Sequence, residues 1–384
     1  MSAAGHLLGA AVGPAGVAFD SCSADRFDFV AKLALFPEKV AAVVHRDLQA
    51  ALSLVYLDLN TDICNHRCTF CDGFYRSLTS ANLPWNRLDT LMTEMEEMGV
   101  LSVVLAGDRG EPLLHPQIDR VLARFAESPV RYALYSNGSV IAEELWPHLA
   151  RAAFIRVSVD AATPATHAAM HGYPVGRGDF DRVIANLQRL APMVPDLGVS
   201  FVLTPANAHE IAAAADRLLA CGARFIEYKP HYLPNYTLDT LWLRSAAPHV
   251  RREIGLAREA WGARVVVNNQ IDAVLGGGTQ PLHTGPRQCL TSALRLVIST
   301  HGCYTCTPYR GEAERRVGSI LEQSLREVVD SCARRQLFDQ CCTRMCAYHD
   351  QNQALLKLDV GARAPVARPT SAPANPTTPQ DYFI

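Results

Sequence analysis

The chain has 384 residues, 49% of them apolar, and a formal net charge of -2 at pH 7. This length can bury a large core, which excludes a small disulfide scaffold and favours one barrel-sized domain with an appendage. The balanced charge offers no basic stripe for nucleic acid and no polybasic membrane anchor, and no apolar run reaches the roughly 18 residues of a membrane-spanning helix. We therefore expect a small-molecule partner, no nucleic acid and no membrane.

The cysteines are grouped along the chain. Ten of the 12 fall within residues 64–71 and 289–346, as metal ligands do, whereas secreted proteins scatter their thiols as disulfide staples. The apolar start of the chain lacks the positive segment of a signal peptide. These patterns predict a cytoplasmic protein with reduced thiols, in which Cys22 and Cys221 are ordinary buried residues.

The elements begin with a helical lead-in over residues 1–52, where apolar residues recur at helical spacing. From residue 53, short β-branched runs alternate with amphipathic stretches. Six strands are predicted: SLVYLDL, LSVVLAG, VRYALYS, FIRVSVD, GVSFVLT and RFIEYK. Repeated strand-helix units predict parallel strands with right-handed crossovers, hence an α/β fold with a partial (β/α)6 TIM-like barrel over 53–235. Such barrels keep their chemistry at the carboxyl ends of the strands.

The pattern changes after the barrel. Residues 236–284 predict a connecting helix and strand, and residues 285–355 predict a small, cysteine-rich α+β domain. The segment 356–384 is rich in Pro, Ala and Thr, so a disordered tail is expected, although its last residues, DYFI, could dock.

Three cysteines stand together just after the first predicted strand. Cys64, Cys68 and Cys71 have the spacing C-x3-C-x2-C. Zinc sites usually combine paired C-x2-C motifs with a fourth protein ligand, whereas three thiolates in one loop suit three irons of a cubane cluster. The fourth iron is then open to a ligand that is not protein.

This spacing resembles the signature of the radical S-adenosylmethionine superfamily, in which an aromatic residue, here Phe70, often precedes the last cysteine. The resemblance implies a 4Fe-4S cluster whose open iron is chelated by S-adenosylmethionine. It also implies reductive cleavage of that cofactor to a 5'-deoxyadenosyl radical, which takes hydrogen from carbon, and a flavodoxin or ferredoxin-type reductant. His66 and Arg67 are expected to orient the loop or moderate its charge instead of binding metal.

Further motifs follow in the order of that superfamily. AGDRGEP resembles its glycine-rich loop, although Asp108 and Arg109 interrupt the glycines, and YSNG, RVSVDAA and VSFVLTPANAHEI resemble its later strand ends. The resemblance implies a set of cofactor-binding residues: Phe70, Gly110, Glu111, Pro112, Asn137, Ser158, Asp160, Thr204 and Asn207. Turns, helix caps and packing are the structural alternatives for these residues.

The second cysteine group resembles the auxiliary-cluster domain called SPASM, or its shorter form, Twitch. This resemblance implies one auxiliary 4Fe-4S cluster, with two clusters as the alternative, and four metal ligands: Cys289, Cys306, Cys342 and Cys346. Cys303 or Cys341 could replace a neighbouring ligand, and Cys332 lies in a predicted helix. A zinc site built from the same thiols is the other alternative.

The sixth strand ends in EYKPHY, which supplies Glu227, Lys229 and His231 as candidate catalytic or substrate-binding residues. A barrel-end salt bridge is the alternative. Arg310, after the later hairpin, is expected to be exposed or to bind a carboxylate or phosphate.

The resemblance implies an oxidoreductase or lyase that acts on a small polar metabolite. Sugars, aminocyclitols and nucleosides are the expected substrates, by oxidation, epimerisation, dehydration or decarboxylation, in natural-product or antibiotic biosynthesis. A maturase of ribosomally made peptides and a non-catalytic iron-sulfur electron carrier are the alternatives. The sequence leaves open the carbon attacked, the net reaction, the fate of S-adenosylmethionine and the oligomeric state.

Overall fold

The computed structural model describes residues 28–71, 79–233, 237–277, 288–340, 348–362 and 378–384. The strands are β1 Leu54–Thr61, β2 Ala81–Asn82, β3 Ser102–Asp108, β4 Arg131–Ser136, β5 Phe154–Ser158, β6 Leu197–Leu203, β7 Phe225–Pro230, β8 Tyr232–Leu233, β9 Thr237–Leu238, β10 Val265–Val267, β11 Arg295–Ser299, β12 Gly302–Tyr304 and β13 Arg316–Gly318. The helices are α1 Phe29–Leu33, α2 Pro37–Val44, α3 Leu48–Ala51, α4 Trp85–Glu97, α5 Ile118–Ala126, α6 Trp146–Leu149, α7 Pro164–His171, α8 Asp179–Leu190, α9 Ile211–Ala220, α10 Thr240–Ser245, α11 Ala247–Trp261, α12 Asn269–Leu275, α13 Thr291–Leu294, α14 Leu325–Val329, α15 Cys332–Phe338 and α16 His349–Ala362.

One large sheet organises the chain. Its strand order is β10-β7-β6-β5-β4-β3-β1-β11-β12-β13. Every pairing from β10 to β11 along this order is parallel, and β12 and β13 continue antiparallel. The edges, β10 and β13, do not meet, so the barrel is open. The predicted α/β fold with a partial barrel is confirmed, and the six predicted strands correspond to β1 and β3 to β7.

The helices between the strands cover the outer face of the sheet. In α4, buried Leu88, Leu91, Met92 and Met95 form one apolar stripe, as the helical spacing of these residues requires. Gly99 follows the helix at a φ of 65°, a left-handed conformation that costs glycine little. Each fully buried Leu or Met side chain contributes about 1.5–3 kcal/mol to stability.

The cysteine-rich region, predicted as a small domain over residues 285–355, continues the barrel sheet through β11, β12 and β13. β11 pairs in parallel with β1, from Leu54 opposite Arg295 to Leu57 opposite Ile298. All of β11 is buried, as expected of a strand covered on both faces. At the other edge, β10 from the predicted connecting segment pairs with β7. Both appended segments are therefore positioned by the sheet itself.

The last described residues are folded, although a tail was expected from residue 356. α16 runs to Ala362, and the ring of Phe383 lies 4.8 Å from that of Phe154 between centroids. Phe383 joins Leu54 and Val104 in a small apolar cluster near the amino ends of the strands, which agrees with the idea that DYFI docks. Among the described residues, no helix is both long and apolar enough to cross a membrane.

We expect Ile298→Ala to destabilise the whole sheet by about 2–5 kcal/mol, because Ile298 is fully buried beside β1 and its truncation leaves a cavity. Denaturant unfolding followed by circular dichroism should show the main transition shifting. Leu321→Ala, at a side chain 42% exposed, is the control and should change stability by less than about 0.5 kcal/mol. A separate domain would instead give a second transition that moves alone.

Candidate active site

The thiol loop that follows β1 rests on the carboxyl end of α7. The N–H of Arg67 donates to the carbonyl of His171 at 2.9 Å, and the N–H of Thr69 donates to that of Met170 at 3.4 Å. Gly172 ends α7 at a φ of 64°. A Cβ there would lie 2.2 Å from the Arg67 carbonyl oxygen, so only glycine permits this close approach.

The three thiols of the loop, Cys64, Cys68 and Cys71, are half-buried and line one cavity. Nitrogen donors lie near the first of them: the His66 N–H is 3.4 Å from the Cys64 sulfur, and the Asn137 amide is 3.8 Å from it. Burial raises the pKa of Cys64 to about 12, so a metal would have to displace its proton. Three half-buried thiols that line one cavity, with two N–H donors near Cys64, fit a cluster held by three cysteines.

His66 and Arg67 fix the shape of this loop. His66 Nε2 lies 2.9 Å from the carboxylate of Asp179 in a fully buried pair. Burial, followed by the nearby His171, lowers the pKa of His66 to about 4, so the ring is neutral. Arg67 donates from Nη1 to the carbonyl of Cys64 at 3.0 Å.

The glycine-rich loop after β3 packs directly on β1. A Cβ at Gly110 would lie 2.1 Å from Oδ1 of Asn60, and the same Asn60 donates from Nδ2 to the Glu111 carbonyl at 2.7 Å. The absence of a side chain at Gly110 therefore lets the loop approach β1.

The two residues that interrupt the glycine run anchor it to neighbouring segments. Arg109 has a φ of 51° and its Nε lies 2.7 Å from Oδ1 of Asp62. Buried Asp108 lies 2.6 Å from Nε2 of His301, which belongs to the turn between β11 and β12. Asp108, which interrupts the glycines of the superfamily pattern, thus links the loop after β3 to the turn between β11 and β12.

Glu111 connects this loop to the end of β4. One carboxylate oxygen accepts from the Ser136 hydroxyl at 2.7 Å and from the Leu113 N–H at 3.1 Å, and the other accepts from the Asn137 N–H at 2.7 Å. Burial raises the pKa of Glu111 to about 7. Glu111 lines the cavity, where it could accept hydrogen bonds from a cationic ligand.

Asp160, Thr204 and Asn207 hold the strand ends together. Asp160 accepts from the Val202 N–H at 2.6 Å, and Asn207 donates from its amide to the carbonyls of Asp160 and Val202, each at 2.9 Å. Asn207 Oδ1 accepts from the Thr204 N–H at 2.9 Å. These contacts are made within the barrel, and cofactor binding by Asp160, Thr204 and Asn207 stays a prediction.

The cavity divides the predicted cofactor residues into two groups. It is lined by Phe70, Gly110, Glu111, Asn137 and Ser158. Of the described residues that line it, none is Pro112, Asp160, Thr204 or Asn207.

The cavity has a volume of about 1120 Å³ and reaches from the three thiols to Cys306. Its wall inside the barrel consists of inward-facing residues of successive strands, among them Tyr56, Tyr135, Arg156, Ser158, Glu227 and Lys229. Alternate residues of a strand point to the same face, so this polar layer arises from strands that are otherwise apolar.

A buried ion pair crosses this layer. Arg156 Nη1 lies 2.6 Å from Oε2 of Glu227, and Lys229 Nζ lies 3.7 Å from the same oxygen. The Arg156 guanidinium also lies over the ring of Tyr135, at 5.5 Å from its centroid. Arg156 is a functional candidate that the motifs do not predict. The signal is an arginine at an inward position of the apolar run FIRVS.

The structure places His231 and Arg310 differently with respect to the cavity. His231 is not among the described residues that line the cavity, and its Nδ1 lies 3.7 Å from Oδ2 of Asp239. Arg310 is buried and not exposed, and its Nε lies 2.7 Å from Oδ2 of Asp58. Burial of a guanidinium requires such a counter-ion. Arg310 also lines the cavity, so binding of a ligand anion by Arg310 stays a prediction.

Two predicted auxiliary ligands share a second, smaller cavity. Cys289 and Cys306 line it, together with Gln340 and Tyr348. The latter two residues flank the segment 341–347, which contains Cys341, Cys342 and Cys346 and lies outside the described residues.

Cys303 and Cys332 have other surroundings. Cys303 is fully buried in the apolar core, where burial raises its pKa to about 12. Cys332 is exposed at the first residue of α15. Of the described cysteines in this region, Cys289 and Cys306 are thus the pair that meets at one cavity.

Comparison with known families agrees with this site. Residues 61–218 match the Radical SAM superfamily, a range that begins in the last residue of β1 and ends within α9. The segment is similar to radical SAM domains, and this match bears out the predicted superfamily and its cofactors, a 4Fe-4S cluster and S-adenosylmethionine.

Two curated relatives match over part of their length. An AdoMet-dependent heme synthase of Methanosarcina barkeri (strain Fusaro / DSM 804) is 26% identical over 163 residues, which are 42% of this chain and 45% of the relative. An S-adenosylmethionine-dependent nucleotide dehydratase of Thermoplasmatales archaeon (strain ISO4-H5) is 31% identical over 142 residues, 36% and 48% respectively. The chain thus spans about half the length of the curated relatives it matches.

Solved structures support the fold. Streptococcus suis SuiB bound to its precursor peptide SuiA superposes with a TM-score of 0.57 at 15% identity, over 74% of this chain and 66% of that one. The anSMEcpe structure with bound AdoMet and the Cp18Cys peptide gives 0.56 at 15% identity, over 80% and 97%. At this identity the likeness concerns the fold alone.

We expect Glu111→Gln to remove a pH-dependent part of the stability. Because burial raises the folded-state pKa of Glu111 from its ordinary 4.5 to about 7, its protonated form stabilises the fold below pH 4.5, and this contribution is lost as the pH rises towards 7. Unfolding of the cluster-free protein between pH 5 and 7.5 should show the wild type losing on the order of 3 kcal/mol relative to the variant.

The control for this measurement is Glu144→Gln, at an exposed position. The prediction is wrong if the stability difference between wild type and Glu111→Gln is the same at both ends of the pH range.

Proposed function

We propose that this protein is a radical S-adenosylmethionine enzyme that removes a hydrogen atom from a small polar metabolite. A sugar, an aminocyclitol or a nucleoside fits best. The observation that carries the proposal is the cavity that joins the three thiols of the loop to the polar layer of Arg156, Glu227 and Lys229. A concave cavity with a few polar groups in its wall is typical of small-molecule binding.

Cys64, Cys68 and Cys71 would hold the 4Fe-4S cluster, and Gly110, Glu111, Asn137 and Ser158 line the space beside them for S-adenosylmethionine. When reduced and bound, these cofactors supply a 5'-deoxyadenosyl radical that abstracts hydrogen from carbon. The protein binds and orients the cofactors and the substrate and excludes water from the site. Glu111 is well placed to bind a cationic group, because both its oxygens are held in fixed directions by three donors.

Within the barrel, Glu227 and Lys229 would bind the substrate and accept or donate a proton. Arg156 holds the Glu227 carboxylate at 2.6 Å, which fixes its orientation towards the cavity. Arg156 and Lys229, both cationic, share the one carboxylate of Glu227. These three side chains together therefore favour a hydroxylated substrate or one that carries negative charge. His231, the third candidate from this strand end, is not among the described residues that line the cavity and is left out of the proposed contact.

We further propose that Cys289, Cys306, Cys342 and Cys346 hold one auxiliary 4Fe-4S cluster. Cys306 lines both cavities, so an auxiliary cluster there would be close enough to exchange an electron with the substrate or to anchor it. Zinc at the same thiols is the alternative, and elemental analysis distinguishes the two.

The net reaction would be that of an oxidoreductase or lyase, supplied with electrons by a flavodoxin or ferredoxin-type protein. The similarity to a nucleotide dehydratase supports a nucleoside or nucleotide among the candidate substrates. A role in antibiotic or other natural-product biosynthesis is part of the proposal. Maturation of a ribosomally made peptide and non-catalytic electron transfer are the competing functions.

Anaerobic reconstitution, followed by reduction with S-adenosylmethionine, tests the proposal. The wild type should form 5'-deoxyadenosine and bind about eight irons, as expected of two cubane clusters. A variant with Cys64, Cys68 and Cys71 all changed to Ala should lose the cleavage and about half the iron, whereas Cys332→Ala should retain both. No cleavage by an iron-loaded wild type would favour the electron carrier. Deuterium transfer from candidate sugars, nucleosides or peptides identifies the substrate.

We expect Lys229→Met to lower substrate turnover by about 10- to 100-fold, since a hydrogen bond to a charged group contributes about 1.5–3 kcal/mol. Cleavage of S-adenosylmethionine without substrate should persist, because Lys229 belongs to the substrate layer. The measurement is deuterium transfer from the identified substrate. Lys357→Met, on the exposed side of α16, is the matched control. Equal turnover in both variants would remove Lys229 from the substrate site.

A further inference from the structure

A histidine at the end of α7 contacts one of the cluster thiols. Nδ1 of His171 lies 3.2 Å from the sulfur of Cys68. The two neighbours of Cys68 in the chain are bound to the same end of α7, because Arg67 and Thr69 donate their N–H groups to its last carbonyls. These two backbone hydrogen bonds, one on each side of Cys68, therefore hold the Cys68 sulfur close to the His171 ring.

The opposite edge of the His171 ring is also held. Nε2 lies 3.0 Å from the carbonyl oxygen of Val159 and 3.3 Å from Oδ2 of Asp160. Asp160 is itself fixed by the Val202 N–H at 2.6 Å and has a φ of 59°. A carbonyl oxygen only accepts, so Nε2 carries a hydrogen.

The contact with Cys68 determines what the other ring nitrogen does. A thiolate bound to the cluster would only accept a hydrogen bond, so a hydrogen bond across this 3.2 Å contact would have to come from a hydrogen on Nδ1. The imidazole then donates from both nitrogens, and the Asp160 carboxylate balances its charge. Because the His171 side chain is 1% exposed, water screens this interaction little.

The histidines and arginines around His171 are bound to other partners. His167 stacks on His171 at 4.2 Å, and His66 lies 5.0 Å away between ring centroids. Nδ1 of His167 contacts the hydroxyl of Tyr173, and Nε2 of His66 lies 2.9 Å from the carboxylate of Asp179. Arg177 and Arg182 both bind the carboxylate of Asp179.

We propose that His171 is a positioning residue that donates an N–H hydrogen bond to the Cys68 sulfur and so raises the reduction potential of the cluster on Cys64, Cys68 and Cys71. This inference rests on the proposed function. One electron from the external reductant enters the cluster, and His171 keeps its proton. The added negative charge strengthens the hydrogen bond, so the reduced cluster is stabilised more than the oxidised one.

The test compares three variants of the full-length, reconstituted protein. His171→Phe keeps a ring without either donor. His171→Gln places an amide near the position of Nε2 and loses the donor to Cys68, whereas His171→Asn places an amide near the position of Nδ1 and retains that donor. The midpoint potential is measured by redox titration with electron paramagnetic resonance, and the signal that changes on adding S-adenosylmethionine identifies the cluster.

The Phe and Gln variants should have a more negative midpoint potential than the wild type, and the Asn variant should recover part of the shift. His167→Phe is the control, because it alters the ring stacked on His171 and should leave the potential unchanged. Equal potentials in Asn and Gln variants that retain their iron would overturn the inference. If the wild type has no cluster that responds to S-adenosylmethionine, the proposed function fails instead.

A second measurement needs no variant that could lose its cluster. Wild-type protein labelled with ¹⁵N only in the histidine rings should give a weak hyperfine coupling between a ring nitrogen and the reduced cluster. The absence of this coupling would exclude a hydrogen bond from His171 to Cys68, whatever the behaviour of the variants.

Discussion

The docking of the thiol loop on the carboxyl end of α7 is the contact on which the site depends. A loop that presents three thiols in eight residues has little structure of its own, and its backbone bonds to Met170 and His171 supply it. Gly172 makes this approach possible, since a Cβ there would meet the Arg67 carbonyl. The short helix α7, between β5 and β6, thus determines where the three thiols that follow β1 lie.

The continuous sheet is the second constraint, because it places the thiol loop and Cys306 at one cavity. β11 lies beside β1, and the Asp108 to His301 contact ties the hairpin to the barrel mouth at 2.6 Å. Strands that share a sheet keep a fixed distance, whereas separate domains are free to move. The relation between the thiol loop and Cys306 is therefore built into the core, which suits the electron exchange proposed for an auxiliary cluster.

Several features followed from sequence patterns because they depend on local chemistry. The six strands appear as β-branched runs closed by turn residues, and the thiol spacing C-x3-C-x2-C by itself indicates a cluster with an open iron. Gly110 and Glu111 were recognised in order along the chain, and both line the cavity. Burial periodicity and ligand spacing are properties of short segments, so one sequence suffices to reveal them.

Other features were decided only by the tertiary structure, because they join residues far apart in the chain. The motifs suggested Asp160, Thr204 and Asn207 for the cofactor. In the fold, the Asp160 carboxylate accepts from the Val202 N–H, and the Asn207 amide contacts the backbones of Asp160 and Thr204. Arg156 meets Glu227 across 71 residues, and His171 meets Cys68 across 103. The sequence by itself determined the strands and indicated the three thiols that are proposed to bind the cluster. The tertiary structure decided which residues pair with the buried charges. A buried charge needs a counter-ion, and the packing of the sheet determines which residue lies close enough to provide it.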